Sequence, residues 1–79
     1  MFFFFFFENF PSRLKALRIE KELTLQELGA ALGSTKQTMG NFENGNKTPS
    51  LELLIKIAEY FGVSLDYLVG RSDVREVQK

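Results

Sequence analysis

The sequence predicts an all-α protein, five short helices around one core. Three observations carry that expectation. Leucines and their apolar neighbours recur at three- and four-residue intervals, the spacing that lines one face of a helix. Thr24, Thr35, Ser50 and Ser64 stand where helix caps are needed, and Gly33, Gly45, Gly62 and Gly70 stand where helices must stop. No segment alternates apolar and polar residues as a half-buried strand would. At 79 residues the chain suits one small domain rather than two.

The first helix is expected over about residues 10–22. Leu14 and Leu17 share a stripe there, with Ala16 a further candidate, and Pro11 falls in the first turn, where a missing N–H is tolerated. Thr24-Leu25-Gln26-Glu27 is a capping box, a Thr followed three residues later by Glu. It opens a second helix over about 25–32, with Leu25, Leu28 and Leu32 apolar and Gly33 able to take the left-handed conformation that ends it. Ser34 and Thr35 both suit the cap of a third helix over about 36–43, with Met39 and Phe42 apolar and Asn44-Gly45 as its stop. Ser50 opens a fourth helix over about 51–61, whose expected buried stripe is Leu51, Leu54, Ile55, Ala58 and Phe61. Ser64 opens a short fifth helix through Val69, in which Tyr67 is expected to be half-buried. Residues 10–70 are thus expected to form the domain. Residues 1–9 make a Phe-rich extension, and 71–79 a polar tail expected to fray.

Phe2 through Phe7 form an unbroken run. It is too short to span a bilayer, which takes roughly 20 apolar residues. It also lacks the basic lead and small-residue cleavage site of a secretory signal. Three accounts stand: an extension foreign to the domain, a segment packed into a dimer or onto the domain's own surface, or a contact with lipid.

Ten basic residues balance ten acidic ones, which excludes a polycation that coats any nucleic acid. There is no Cys and no His, so disulfides, thiolate metal sites, the commonest zinc ligand and the commonest neutral-pH general base are all missing. Capping accounts for the Ser and Thr residues at helix starts. The expectation is therefore a cytoplasmic protein that is not an enzyme, with no catalytic residue, metal, cofactor, small-molecule ligand or membrane contact.

The informative stretch is Leu25–Asn44: a capped helix, a turn of Gly33-Ser34-Thr35, and a second capped helix. Gly29 lies on the inner face, where a bulky side chain would push the helices apart. Leu28, Leu32, Met39 and Phe42 are expected to fill the angle between them. Lys36, Gln37, Gly40 and Asn41 are left on the outer face. Gln and Asn can pair bidentately with adenine and Lys can donate to guanine, so this face suits the major groove. It also suits an ordinary solvated helix surface. The backbone N–H groups at the start of the second helix suit a phosphate, and Asn44, Asn46, Lys47 and Thr48 add donors nearby. Six basic residues against four acids between Arg13 and Lys47 give that part a modest positive balance.

Arg13-Leu14-x-x-Leu17-Arg18, Leu23-Thr24-x-x-Glu27-Leu28, Gly33-Ser34-Thr35-Lys36-Gln37-Thr38, Phe42-Glu43-Asn44-Gly45, Thr48-Pro49-Ser50-Leu51-Glu52 and Leu65-Asp66-Tyr67-Leu68 occur in that order. Together they resemble the phage-repressor helix-turn-helix family of the Cro, lambda-repressor and xenobiotic-response-element type. The resemblance covers about Phe10–Gly70. It implies a compact five-helix lambda-repressor-like DNA-binding domain whose helix-turn-helix is made by helices 2 and 3. It further implies a regulator, typically a repressor, bound to double-stranded DNA as a homodimer on a palindromic operator. By that resemblance Lys36, Gln37, Gly40 and Asn41 fall on the base-reading face. Thr35, Thr38, Asn44, Asn46 and Lys47 fall near phosphate contacts, and Arg18 and Glu43 form a structural ion pair. The resemblance also implies a bacterial or phage origin.

Three residues depart from the pattern. Leu25 stands where the family commonly has a phosphate-binding Gln. Gly40 contributes no side chain to reading. Glu22 replaces a Gly common after the first helix, which makes a left-handed turn there less easy. Leu25, Gly40, the zero net charge and the Phe run keep open a second reading, a protein-interaction module that retains the fold and has lost DNA. Tyr67 is a packing residue and, as an alternative, a candidate dimer contact.

Overall fold

The computed structural model describes the backbone of residues 2–77 and, in the first helix, side chains from Asn9 onward. Five helices follow in order: α1 (Phe2–Glu20), α2 (Leu25–Ala31), α3 (Lys36–Glu43), α4 (Leu51–Phe61) and α5 (Leu65–Leu68). α2 packs on α3, α1 on α3 and α5, and α4 on α5. The core is Phe10, Leu14, Leu17, Leu28, Leu32, Met39, Phe42, Leu54, Ile57, Ala58, Val63 and Leu68. Phe10 meets Phe42 edge to face at 6.3 Å, which ties α1 to α3 at the centre. None of the described helices is long and apolar enough to cross a membrane.

The start of α1 corrects the sequence expectation. The helix begins at Phe2, and Pro11 lies inside it instead of in its first turn. Pro11 gives no N–H to the carbonyl four residues earlier. Its ring instead lies against the turn after α3, since a Cβ on Gly45 would meet Pro11 Cγ at 3.8 Å. Ser12 Oγ donates to the Asn9 carbonyl at 3.2 Å. What the phenylalanine side chains of residues 2–7 touch lies outside the described residues.

The expected caps are present. Thr24 Oγ1 accepts from Glu27 N, and the Glu27 carboxylate accepts from Thr24 N at 2.8 Å, completing the capping box. Thr35, Ser50 and Ser64 each accept a backbone N–H three residues on. At the other ends, one pair of backbone bonds closes every helix. After α2, Gly33 N donates to Ala30 O and Ser34 N to Gly29 O; after α1, Glu22 N donates to Ile19 O and Leu23 N to Arg18 O. This closure needs a left-handed residue at its first position. Gly33 supplies it at φ 69°, whereas α1 uses Glu22 at φ 58°, the one non-glycine residue with positive φ among those described.

Glu22→Gly is therefore expected to raise stability. Relief of the left-handed strain, about 1 kcal/mol, exceeds the added freedom of the unfolded glycine. A net gain of about 0.5 kcal/mol should lift the melting temperature by about 3 °C, read by circular dichroism. An unchanged or lower melting temperature would show that Glu22 carries no strain.

The core stripe of α4 is turned relative to expectation. Leu54 and Ala58 are buried and Phe61 half-buried, but Leu51 and Ile55 are 64% and 41% exposed. Ile57, fully buried, takes their place. On α1, Ala16 is exposed, outside the stripe of Leu14 and Leu17.

The tail is also more engaged than expected. Ser64 N donates to Arg75 O at 2.7 Å and Ser64 Oγ to Val74 O at 3.0 Å. Arg13 Nη1 donates to the carbonyls of Tyr67 and Ser72, both at 2.6 Å, and Nη2 pairs with Asp73. The Arg13 and Arg75 guanidinium groups both lie against the half-buried Tyr67 ring, at 4.2 and 5.6 Å. Arg75 also bonds Glu20 at 2.7 Å, and this hydrogen bond with its positive charge holds the Glu20 carboxyl below the ordinary carboxylate range. Residues 71–77 thus strap α5 to α1.

Candidate nucleic-acid interface

The interface is built on the contact between α2 and α3. Gly29 makes that contact possible. An ideal Cβ there would stand 2.7 Å from the Thr35 carbonyl carbon, 2.9 Å from its oxygen and 3.1 Å from Lys36 N. The backbone that caps α3 thus rests directly on the backbone of α2. Leu28, Leu32, Met39 and Phe42 are all buried in the angle between the helices, as the spacing predicts.

With Met39 and Phe42 inward, the opposite face of α3 is turned out. Lys36 and Gln37 are exposed, and Gly40 and Asn41 are half-buried. With Leu25 and Asn44 they line one open depression of about 360 Å³. No carboxylate lines it, so nothing in it repels an anionic strand. The structure therefore brings together Lys36, Gln37, Gly40, Asn41 and Asn44. Thr35, Thr38, Asn46 and Lys47 lie outside the lining.

Two hydroxyls are already committed. Thr35 Oγ1 accepts from Thr38 N at 3.1 Å and donates to Thr38 Oγ1 at 2.9 Å. The Thr38 hydroxyl hydrogen is what this pair has left to give a phosphate. Gly45 N ties the loop after α3 to the Phe42 carbonyl, and the Asn41 carbonyl accepts both from Asn46 N at 2.9 Å and from Lys47 N at 3.3 Å. Asn41 therefore has its backbone under the loop and its side chain in the depression.

α3 is held from behind by Arg18. Its Nε donates to Glu43 Oε2 at 2.6 Å and its Nη2 to Glu43 Oε1 at 3.1 Å, while Nη1 donates to the Leu23 carbonyl at 2.8 Å. One α1 side chain thus fixes both the end of α3 and the turn leading to α2, as the expected ion pair requires. Arg13, counted in the positive balance of the sequence, is spent on α5 and the tail.

Leu25 is the residue whose place the sequence reading missed. Leu25 stands where the family commonly has a phosphate-binding Gln, and its half-buried side chain also lines the depression beside Gly40. The signal was available: an apolar residue at the first position of α2, one turn ahead of the buried Leu28.

Residues 14–68 match the family model described as helix-turn-helix. The chain is 33% identical over 70 residues to the cryptic phage CTXphi transcriptional repressor RstR of Vibrio cholerae, covering 89% of this chain and 63% of that protein. It is 38% identical over 64 residues to the HTH-type transcriptional regulator AnsR of Bacillus subtilis, covering 81% of this chain and 55% of the relative. An uncharacterized HTH-type transcriptional regulator of Methanocaldococcus jannaschii is 40% identical over 55 residues, 70% of this chain and 83% of its own length. The chain spans between about half and two-thirds of the first two relatives.

Proposed function

This chain belongs to the helix-turn-helix family of the Cro and C1 phage-repressor type, and on that footing we propose that it is a sequence-specific DNA-binding regulator of transcription. The observation that carries the reading is the depression on the outer face of α3, where Lys36, Gln37 and Asn41 stand together with no carboxylate among them. A slim helix bearing such donors and acceptors fits the major groove, whose base edges present a distinct pattern for each pair. Lys36, Gln37 and Asn41 read base edges, and Gly40 lets the helix approach closely. Thr38, Asn44, Asn46 and Lys47 meet phosphates on either side, while Thr35 acts through the cap.

The mechanism we propose is repression by occupancy. Two copies on a palindromic operator place their α3 helices in successive major grooves, about 34 Å apart. A promoter covered in this way is closed to polymerase. The name of the Vibrio cholerae relative supports the repressor role. The DNA-binding unit is residues 10–70, with 71–77 bracing it.

Selection from a randomised duplex pool tests this. The expected outcome is an enriched site with two-fold symmetry. Gln37→Ala or Asn41→Ala should each lose about 1–3 kcal/mol of discrimination at one base position. Affinity should fall steeply with salt, because each phosphate contact releases counterions. Selected sequences unaffected by either substitution would remove the base-reading assignment.

One observation favours the second reading, a protein-interaction module. Ile55, Ala58, Val63, Leu65 and Val77, together with Glu59, Ser64 and Asp66, line a separate open depression of about 320 Å³ between α4, α5 and the tail, and Leu51 is exposed on the same helix. A gel shift at low salt with micromolar protein and random duplex separates the two, since only the interaction module leaves the DNA unshifted.

A further inference from the structure

Resting on the DNA-binding reading above, we infer that Leu25 and Gly40 form a notch that receives the C5-methyl group of a pyrimidine. Leu25 and Gly40 come from different helices yet line the same depression. A Cβ built on Gly40 would meet Leu25 Cδ1 at 3.9 Å, ordinary contact distance. Glycine at 40 is therefore not required by packing within the protein. Its missing methyl instead leaves a methyl-sized gap beside an isobutyl side chain, open to the outside. Gly40 carries no side chain, and the half-buried Leu25 offers only carbon to the depression.

Everything else around the gap is polar. Lys36, Gln37, Asn41 and Asn44 complete the lining. They can hydrogen-bond the heteroatoms of a base edge, while the only side chain in the notch, that of Leu25, is carbon alone. Water in such a corner has few partners. In the major groove the one apolar group among the base-edge atoms is the C5-methyl of thymine, which proteins read by apolar contact. Cytosine methylated at C5 carries the same group at the same place. The notch therefore adds a methyl reader to the hydrogen-bonding set, and Leu25 and Gly40 become specificity-determining residues.

The test uses the full chain and two random duplex pools, one unmethylated and one with every cytosine methylated at C5. In the best selected duplex each thymine is replaced in turn by deoxyuridine, which removes the methyl and changes nothing else on the base edge. One thymine per half-site is expected to weaken binding about fourfold when replaced, the factor that one buried methyl group yields. Leu25→Ala should abolish that difference. Gly40→Ala should blunt it by filling the notch, and it keeps the test alive if Leu25→Ala fails to fold. Enrichment confined to the methylated pool, with a fourfold loss on removing one cytosine methyl, supports the same notch and assigns it to 5-methylcytosine. A selected site indifferent to every methyl removal overturns the notch and leaves the DNA-binding reading standing. So does a sensitivity that survives both substitutions unchanged. No enriched sequence from either pool overturns both.

Discussion

Gly29→Ala is expected to loosen the seat of α3 on α2. The added methyl would stand 2.7 Å from the Thr35 carbonyl carbon and 2.9 Å from its oxygen. These are backbone atoms at a helix cap, so no side-chain rotation relieves the contact. Ser34 N also donates to the Gly29 carbonyl at 2.7 Å, so the turn cannot swing away without losing a bond. Alanine favours a helix over glycine by about 1 kcal/mol, which works in the opposite direction. Overpacking costs about 1–3 kcal/mol and occasionally more, and contact this short against backbone belongs at the upper end. A net loss of about 2 kcal/mol should lower the melting temperature by about 10 °C in a domain of this size. Gly40→Ala is the matched control, because its Cβ reaches only 3.9 Å from Leu25 Cδ1 and should leave the melt unchanged or raised. Equal melting of Gly29→Ala and the native chain would mean that the close approach does not determine the helix pairing.

Glu43→Ala is expected to cost more. Arg18 and Glu43 expose only 14% and 6% of their side chains. Removing the carboxylate leaves a guanidinium in the core's margin with the Leu23 carbonyl as its remaining bond at 2.8 Å. Breaking a pair this enclosed costs about 3–5 kcal/mol, because the survivor is an uncompensated charge. Three kcal/mol would lower the melting temperature by about 15–20 °C. Replacing both residues, as Arg18→Met with Glu43→Leu, should recover most of the loss, since two matched apolar groups leave no charge behind. The double-mutant cycle checks this directly. Additive losses would show that the pair is not coupled and that each residue acts through other contacts.

How far the sequence discloses this molecule depends on the range of each interaction. Thr24, Thr35, Ser50 and Ser64 act within three residues of themselves, so their caps are visible in the order of letters. Gly29, Leu28, Met39 and Phe42 are visible because the turn between their helices is short. The buried face of α4 is not legible from periodicity, because Leu51, Leu53, Leu54, Ile55 and Ile57 are apolar on more than one side. Periodicity then allows several stripes, and packing into the shared core, with α5 and Val63 among its parts, selects Leu54, Ile57 and Ala58. Arg13 reaches partners 54 to 60 residues away, which no local pattern encodes. Lys36, Gln37, Gly40 and Asn41 were legible by subtraction, as what remains once Met39 and Phe42 turn inward. The position of Leu25 is only partly legible, because an apolar residue one turn ahead of the buried Leu28 reads first as core.

The doubly bonded carbonyl of Asn41 has a consequence for how any duplex is met. The Asn41 oxygen ties the segment after α3 back to the helix, through Asn46 N at 2.9 Å and Lys47 N at 3.3 Å. On the proposed DNA-binding reading, little ordering of this segment is expected to oppose association. On the same reading, α3 is expected to pass over A-form RNA, whose deep, narrow major groove side chains do not read.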